Sequence, residues 1–297
     1  MPYTTGTTTF DPATVYDAAE KIAKQVIRNV TADDRLAELE KGEVTNGTTI
    51  EQIIVELAQA GAFIQEFDPL DNSTSPFDAM APELVVRYFK DWTSRQFSAR
   101  VSMQKLRMIM AAGGDAGTVA EMIVASLVEG ENQANYEAIK GMFADTAVQS
   151  NAIVNIDTYN VSDATDYKAI LVALKNVISG MSYVNTTFNK AGIKRKTPKE
   201  NIRILMPYTL KNQIDVEELS GVFNLSKAEI ENRIIEIDSA ANDIFVFDVD
   251  AVQIYTRLKE LTSQFNGKTL ETNYFYTIDK LYAMSPLFDC VRIHVGA

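Results

Sequence analysis

The sequence predicts an α+β fold, and three observations carry that reading. Residues 118–145 hold a helical apolar pattern well beyond the average globular helix. Short apolar runs suited to strands, NIRILMPY, RIIEID, DIFVFDV and DCVRIHV, are spread through the second half among helical segments. No repeat of fixed period runs through the chain, which sets solenoids and propellers aside.

The totals bound the rest. With 297 residues, 46% hydrophobic and 23% charged, the chain can supply one large domain or two smaller ones. No apolar run reaches the length of a membrane-spanning helix, so no membrane partner is expected. The start, MPYTTGTTTFDPATVYD, has neither the basic patch nor the apolar core of a secretory signal. Cys290, the single cysteine, excludes an internal disulfide and suits a reducing compartment. A net charge of −12 argues against gripping nucleic acid by its phosphates. The charge is uneven: between Asp215 and Asp250 ten acidic residues face only Lys227 and Arg233. From Tyr183 to Lys199 (YVNTTFNKAGIKRKTPK) there are five basic residues and no acidic one. These are either two solvated faces or complementary patches on neighbouring copies.

The elements follow in order. Asp11 suits a helix cap, Pro12 a first turn, and Val15, Ala18, Ala19, Ile22, Val26 and Val30 fall on one helical face, so the first forty residues predict a helical arm. A second short helix is expected around Asp33 to Lys41. From Asn46, NGTTIEQIIVELAQAGAFIQEFDPLDNSTSPFDAMAP begins with β-branched residues and ends in a Pro, Asp, Asn and Ser cluster near Pro82. It reads as a long, partly extended excursion that leaves the core and returns, a loop length that is usually functional. On the return, Phe97, Ala99, Val101 and Met103 alternate as in a half-buried strand. The Gly113-Gly114-Asp115-Ala116-Gly117 cluster then feeds the long helix, about 40 Å at 1.5 Å per residue, with Gly130 shifting its apolar face. Ile170, Leu171, Leu174, Val177, Ile178 and Met181 predict a helix over Asp163 to Tyr183. Ser226 with Glu229 matches a capping box. Val252, Tyr255, Leu258 and Leu261 predict a further helix, before closing strands in TLETNYFYTIDKLYAM and DCVRIHV.

No catalytic, cofactor or metal signature survives inspection. The glycine cluster lacks the G-x-G-x-x-G spacing, and the lone Gly267-Lys268-Thr269 has Thr262 where a phosphate loop needs its first glycine. The cluster is therefore read as a backbone pivot. Cys290 and His294 would be neighbours on a helix, but alternation in CVRIHV argues for a strand, which separates them by about 13 Å. Asp248 and Asp250 could bind a cation, yet no calcium-loop spacing surrounds them, and a solvated loop or cap is the plainer reading. Trp92 and the aromatics of TNYFYTIDKLY have no interleaved basic residues and read as core.

An arm, GTTIEQI with its extended excursion, the helix GGDAGTVAEMIVASLVEGENQANYEAIKGMFAD, and then QIDVEELSGVFNLSKAEIENRIIEID, DIFVFDVDAVQIYTRLKEL and ETNYFYTIDKLYAMSPLFDCVRI form a specific order. That order resembles the major capsid proteins of tailed phages, with the Hong Kong 97-like (HK-97-like) fold, closest to the small short-tailed phages related to phi-29. The resemblance implies an N-terminal arm at 1–45 and an extended E-loop at 46–82. It further implies a peripheral (P) domain at 83–162 with a spine helix near 118–145, an axial (A) domain at 163–285, and a C-terminal strand at 286–297 returning to the P domain. It implies no enzyme and no cofactor. Copies would join as pentamers and hexamers into an icosahedral virion shell around double-stranded DNA, assembled in the host bacterial cytoplasm. Some relatives carry an added immunoglobulin-like domain, for which these residues leave no room. A separate scaffolding protein and a portal are expected partners, and DNA would be held without sequence-specific binding. Contacts between copies are expected at Ile50, Ile53, Ile54, Phe63 and Phe67 of the excursion, and at Lys190, Lys194, Arg195, Lys196 and Lys199 of the basic segment. The alternatives are an encapsulin-type nanocompartment shell protein and an unrelated soluble α/β binding protein.

Overall fold

Burial on both faces is what the apolar runs of the second half demand, and a central mixed sheet supplies it. The computed structural model describes residues 36–44, 49–57, 84–104, 116–163, 165–214, 233–239 and 241–296. The expected arm helix, Phe63, Phe67, the glycine pivot at 113–115 and the Ser226 capping box lie outside the described residues. The chain divides into two compact units.

The first unit includes Trp92–Lys140 and Ile254–Tyr282. Its sheet has the order β1-β9-β10-β4, formed by β1 (Glu40–Glu43), β9 (Val252–Asn266), β10 (Glu271–Met284) and β4 (Trp92–Ser102). β10 and β4 pair antiparallel from Glu271↔Ser102 to Leu281↔Trp92, which brings Phe97, Ala99 and Val101 onto the same face as Tyr274, Tyr276 and Ile278. That face packs on Leu127 and Val128 of α1 (Ala116–Ala144), the long helix expected near 118–145. The helix runs on through Gly130, where a Cβ would meet the Phe97 ring at an ordinary contact distance of 3.5 Å.

The second unit includes Gly141–Gln253 and Ala283–Ala297. Its five-stranded sheet has the order β5-β11-β8-β6-β7, from β5 (Val154–Asn155), β6 (Ile202–Pro207), β7 (Ile234–Ile237), β8 (Asp243–Asp248) and β11 (Cys290–His294). Every residue of β8 is buried, and the alternation of its side chains gives each face its own partner. Ile244 and Val246 join Ile170, Leu174, Val177 and Met181 of α3 (Tyr167–Met181) in one cluster. Phe245 and Phe247 each meet the Phe143 ring at 5.2 Å on the other side. Short helices α2 (Thr146–Ala152) and α4 (Tyr208–Gln213) complete the frame, together with a separate two-stranded ribbon of β2 (Ile50–Val55) and β3 (Leu84–Phe89).

Two expectations are corrected. Val252, Tyr255, Leu258 and Leu261 lie in strand β9, not in a helix. Their three-residue spacing mimics a helical face, but the strand splits them between its two sides and leaves Leu258 exposed. Of the short helix expected over 33–41, the described part is a 3-10 turn, Ala37–Leu39, running into β1. Leu36 and Leu39 are fully buried there, and Gly42 takes φ 124° at the register shift where β1 lies parallel on β9. The two compact units follow the strand pairing. The β9–β10 pair stays with β4 because β10 hydrogen-bonds along all of it, whereas the closing strand β11 sits inside the five-stranded sheet between β5 and β8.

Candidate assembly surfaces

The ribbon is the first candidate. Its register sets Glu51, Ile53 and Val55 opposite Tyr88, Val86 and Leu84, so these six share one face. Ile53, Val55, Leu84 and Tyr88 are 54%, 56%, 59% and 62% exposed, and Leu57 just beyond is 56% exposed. Ile50 and Ile54, two of the expected contact residues, lie on the opposite face and are half-buried. Gln52, on that same face, is hydrogen-bonded by the Ser285 hydroxyl. Tyr88 donates to Glu51 Oε1 at 3.0 Å, one polar tie on an otherwise apolar surface.

The basic segment is the second. Lys190, Lys194, Lys196 and Lys199 are exposed, but Arg195 points inward. Its guanidinium pairs with Asp248 Oδ2 at 2.7 Å, donates to the Leu287 carbonyl at 3.1 Å and lies 3.9 Å over the Phe288 ring. Its charge is thus neutralised within its own copy, and the patch offered outward consists of four lysines. The loop bearing them is clamped. Asn189 accepts from Ile193 N at 2.8 Å, returns a bond to Ile193 O at 2.8 Å and reaches Asp289 at 3.2 Å. Thr197 Oγ1 sits between Asp289 (2.8 Å) and Asp248 (3.2 Å), both buried carboxylates. Burial lifts both carboxyls above the ordinary carboxylate value, outweighing the pull of Arg195 and the hydrogen bonds they accept.

The remaining polar clusters are structural in character. In the first unit Lys280 Nζ binds Glu40 Oε1 at 2.7 Å and Glu131 Oε1 at 2.8 Å, with Asn135 Nδ2 also donating to Glu40 at 3.0 Å. Tyr282 donates to Asn135 Oδ1 at 2.8 Å. The cavity beside them measures about 10 Å³, room for a water molecule and no substrate. Sequence spacing did not reveal this network; its only signal was a charged Asp-Lys pair inside the apolar run YTIDKLYAM. In the second unit Cys290 is fully buried against Met284, with its thiol pushed upward by burial, while His294 Nδ1 meets Asp243 at 2.7 Å. Asp248 binds Arg195 and caps Asp250 N at 3.0 Å, which occupies the pair once weighed for a cation. Among the described residues no cluster of three or more metal-ligating side chains occurs, and no helix is long and apolar enough to cross a membrane.

Comparisons with known proteins give the family and the fold. A family model described as Phi29-like phage major capsid protein matches residues 5–294. The major capsid protein of Bacillus phage GA-1 is 21% identical over 284 residues, covering 93% of this chain and 59% of that protein. The chain spans about three fifths of the length of the curated relatives it matches. Among solved structures, the capsid of Staphylococcus phage Andhra shares the fold with a TM-score of 0.66 at 14% identity, over 89% of this chain and 84% of that one. A virus-like particle from Pyrococcus furiosus matches with a TM-score of 0.53 at 12% identity, over 93% of this chain and 98% of that one.

Proposed function

The chain belongs to the Phi29-like phage major capsid protein family, and from that premise we propose that it is the major capsid subunit of a tailed phage with a double-stranded DNA genome. Its copies close into an icosahedral shell through pentamers and hexamers. The observation that carries the reading beyond family membership is the ribbon face of Ile53, Val55, Leu84 and Tyr88, more than half exposed at each position. Contiguous apolar surface of this kind marks a protein contact, and an isolated two-stranded ribbon is only marginally stable in water. A neighbouring subunit covering that face resolves both difficulties at once.

On this reading the ribbon is the base of the extended E-loop, α1 is the spine of the P domain, and the five-stranded sheet is the centre of the A domain. The β9–β10 pair belongs with the P domain. Phe63 and Phe67 belong to the same excursion and act with the ribbon at the neighbour. The net charge of −12 suits an inner wall to which packaged DNA does not adhere. A separate scaffolding protein and portal accompany assembly in the host cytoplasm, while the contacts that close the shell belong to the subunit itself, whose role in the virion is structural, not catalytic. The fold likeness to the archaeal virus-like particle keeps one second reading in view, a shell around protein cargo. Particle contents decide between them, DNA for the first and an enzyme for the second.

Electron microscopy of the purified chain is the test, with Ile53→Asp/Leu84→Asp as the partner sample. Wild type gives closed shells. The double variant keeps subunit stability within about 0.5 kcal/mol per site, as for exposed positions, and gives none. A wild-type chain that stays a monomer, or shells from the double variant, would refute the proposal.

A further inference from the structure

We infer that α3 carries both halves of a head-to-tail contact between copies, in which a groove beside its first half receives the Tyr183–Lys199 loop of a second copy. The inference rests on the shell reading and names the acceptor surface for the exposed lysines.

The groove has a volume of about 260 Å³ and is lined by Tyr159, Asp163, Asp166, Ala169, Val172 and Asn176, among others. Val172 forms an uncovered apolar wall, 51% exposed. Asp163 and Asp166 are exposed at the rim. Each uses one carboxylate oxygen locally: Asp163 Oδ1 accepts from Thr165, and Asp166 Oδ1 accepts from Ala169 N at 3.0 Å. Among the described residues no bond engages the second oxygen of either. The exposed Lys168 and Lys175 of α3 are not among the residues lining the groove.

The loop is its complement in charge and shape. Lys190, Lys194, Lys196 and Lys199 face solvent, the loop contains no acid, and Tyr183 and Val184 are 74% and 53% exposed. The Asn189 and Thr197 clamps fix the backbone beforehand, so little ordering remains for association. Both ends of the loop return to the C-terminus of α3: Tyr183 N donates to the Gly180 carbonyl at 3.1 Å and Thr197 N to the Met181 carbonyl at 2.8 Å. The groove lining runs along α3 as far as Asn176, and its Tyr159 stacks on Phe188 of the loop in the same copy, but its acidic rim, Asp163 and Asp166, lies at the other end of the helix. With 15 residues, α3 holds that rim about 22 Å from the turn that anchors the loop.

The acidic rim and the lysines, at opposite ends of one rigid helix, form no ion pair within a copy among the described residues. Between copies they make a heterologous contact, the type that closes into rings when the rotation allows. Complementary charge steers such a contact and rejects wrong registers.

The test is a disulfide trap in assembled particles, using Val172→Cys and Lys194→Cys; Cys290 is fully buried and does not compete. Shells assembled from a mixture of the two variants give disulfide-linked dimers on mild oxidation, and shells of either variant alone give none. A second arm uses Lys194→Glu/Lys196→Glu, which raises the concentration needed for assembly several-fold, and Asp163→Lys, which restores assembly when combined with it. Shells from the mixture that yield no mixed disulfide overturn this inference and leave the shell reading standing. Lysine-reversed shells that assemble normally and differ only in DNA content overturn it too, in favour of a genome contact. Absence of any shell from the wild-type chain overturns both.

Discussion

Lys280→Met isolates the buried ion network of the first unit. The wild-type ammonium is 4% exposed and touches two carboxylates, Glu131, itself 6% exposed, and Glu40, 25% exposed. Methionine fills much of the same space but leaves Glu131, among the described residues, with only Lys259 at 3.8 Å and the Tyr276 hydroxyl at 3.4 Å. Removing one partner of a buried pair strands the other, at about 3–5 kcal/mol. Glu131→Gln added to Lys280→Met removes the stranded charge and recovers about 1–3 kcal/mol as coupling. Denaturant unfolding of unassembled subunits, followed by fluorescence of Trp92, the single tryptophan, reads the same unit directly because Arg257 stacks 4.7 Å above that ring. A Lys280→Met loss below about 1 kcal/mol, or strictly additive single and double variants, would refute the reasoning. The pH sign follows from the same geometry. The two carboxylates hold the Lys280 ammonium above its ordinary 10.5 despite the opposing effect of burial, so its stabilisation is complete below that value and disappears as pH rises through the folded-state pKa.

Other outcomes are equally direct. Gly180→Ala should destabilise by about 1–3 kcal/mol, because its Cβ would stand 2.5 Å from the buried Phe188 ring, although alanine favours helix elsewhere; a more stable variant would contradict that ring position. Asp289 is a buried carboxyl lifted above 3.8, so its ionised form opposes folding at neutral pH and the opposition fades as pH falls through the folded-state pKa toward 3.8. Unfolding midpoints of wild type relative to Asp289→Asn should therefore shift in favour of wild type with acidification; a difference that is flat with pH would count against the clamp electrostatics.

Legibility in the sequence tracked how local the deciding interaction is. β8 and α3 were plain, because two-sided burial and a six-residue apolar stripe are written into neighbouring residues. The helix α1 was plain as well, Gly130 notwithstanding. β9 was misread because the choice between strand and helix was made by pairing with β10 and β1, which no window of its own sequence reports. The pairing of β4 with β10, far along the chain, is likewise invisible to any local window. Among the candidate contact residues, Arg195 sat with the lysines by composition, and what turns it inward, Asp248, Leu287 and Phe288, lies 53 or more residues away. Glu40 and Lys280 are separated by 240 residues, and no spacing rule links them.

The two proposed surfaces divide the work of association by physical kind. The ribbon offers large apolar side chains on a strand pair with few ties to its own unit, so a neighbour must order it as well as cover it. Such a contact is slow to form correctly and strong once formed. The lysine loop offers charge on a backbone already fixed by Asn189 and Thr197, so it loses little entropy and acts at a distance, but its exposed pairs are individually weak and screened by salt. If assembly uses both, added salt should slow the encounter of subunits far more than it loosens finished shells. A ring held chiefly by the lysines would instead fall apart in salt. Light scattering during assembly, set against dissociation of completed particles across the same salt series, separates these cases, and equal salt sensitivity in both would show that the ribbon contributes little.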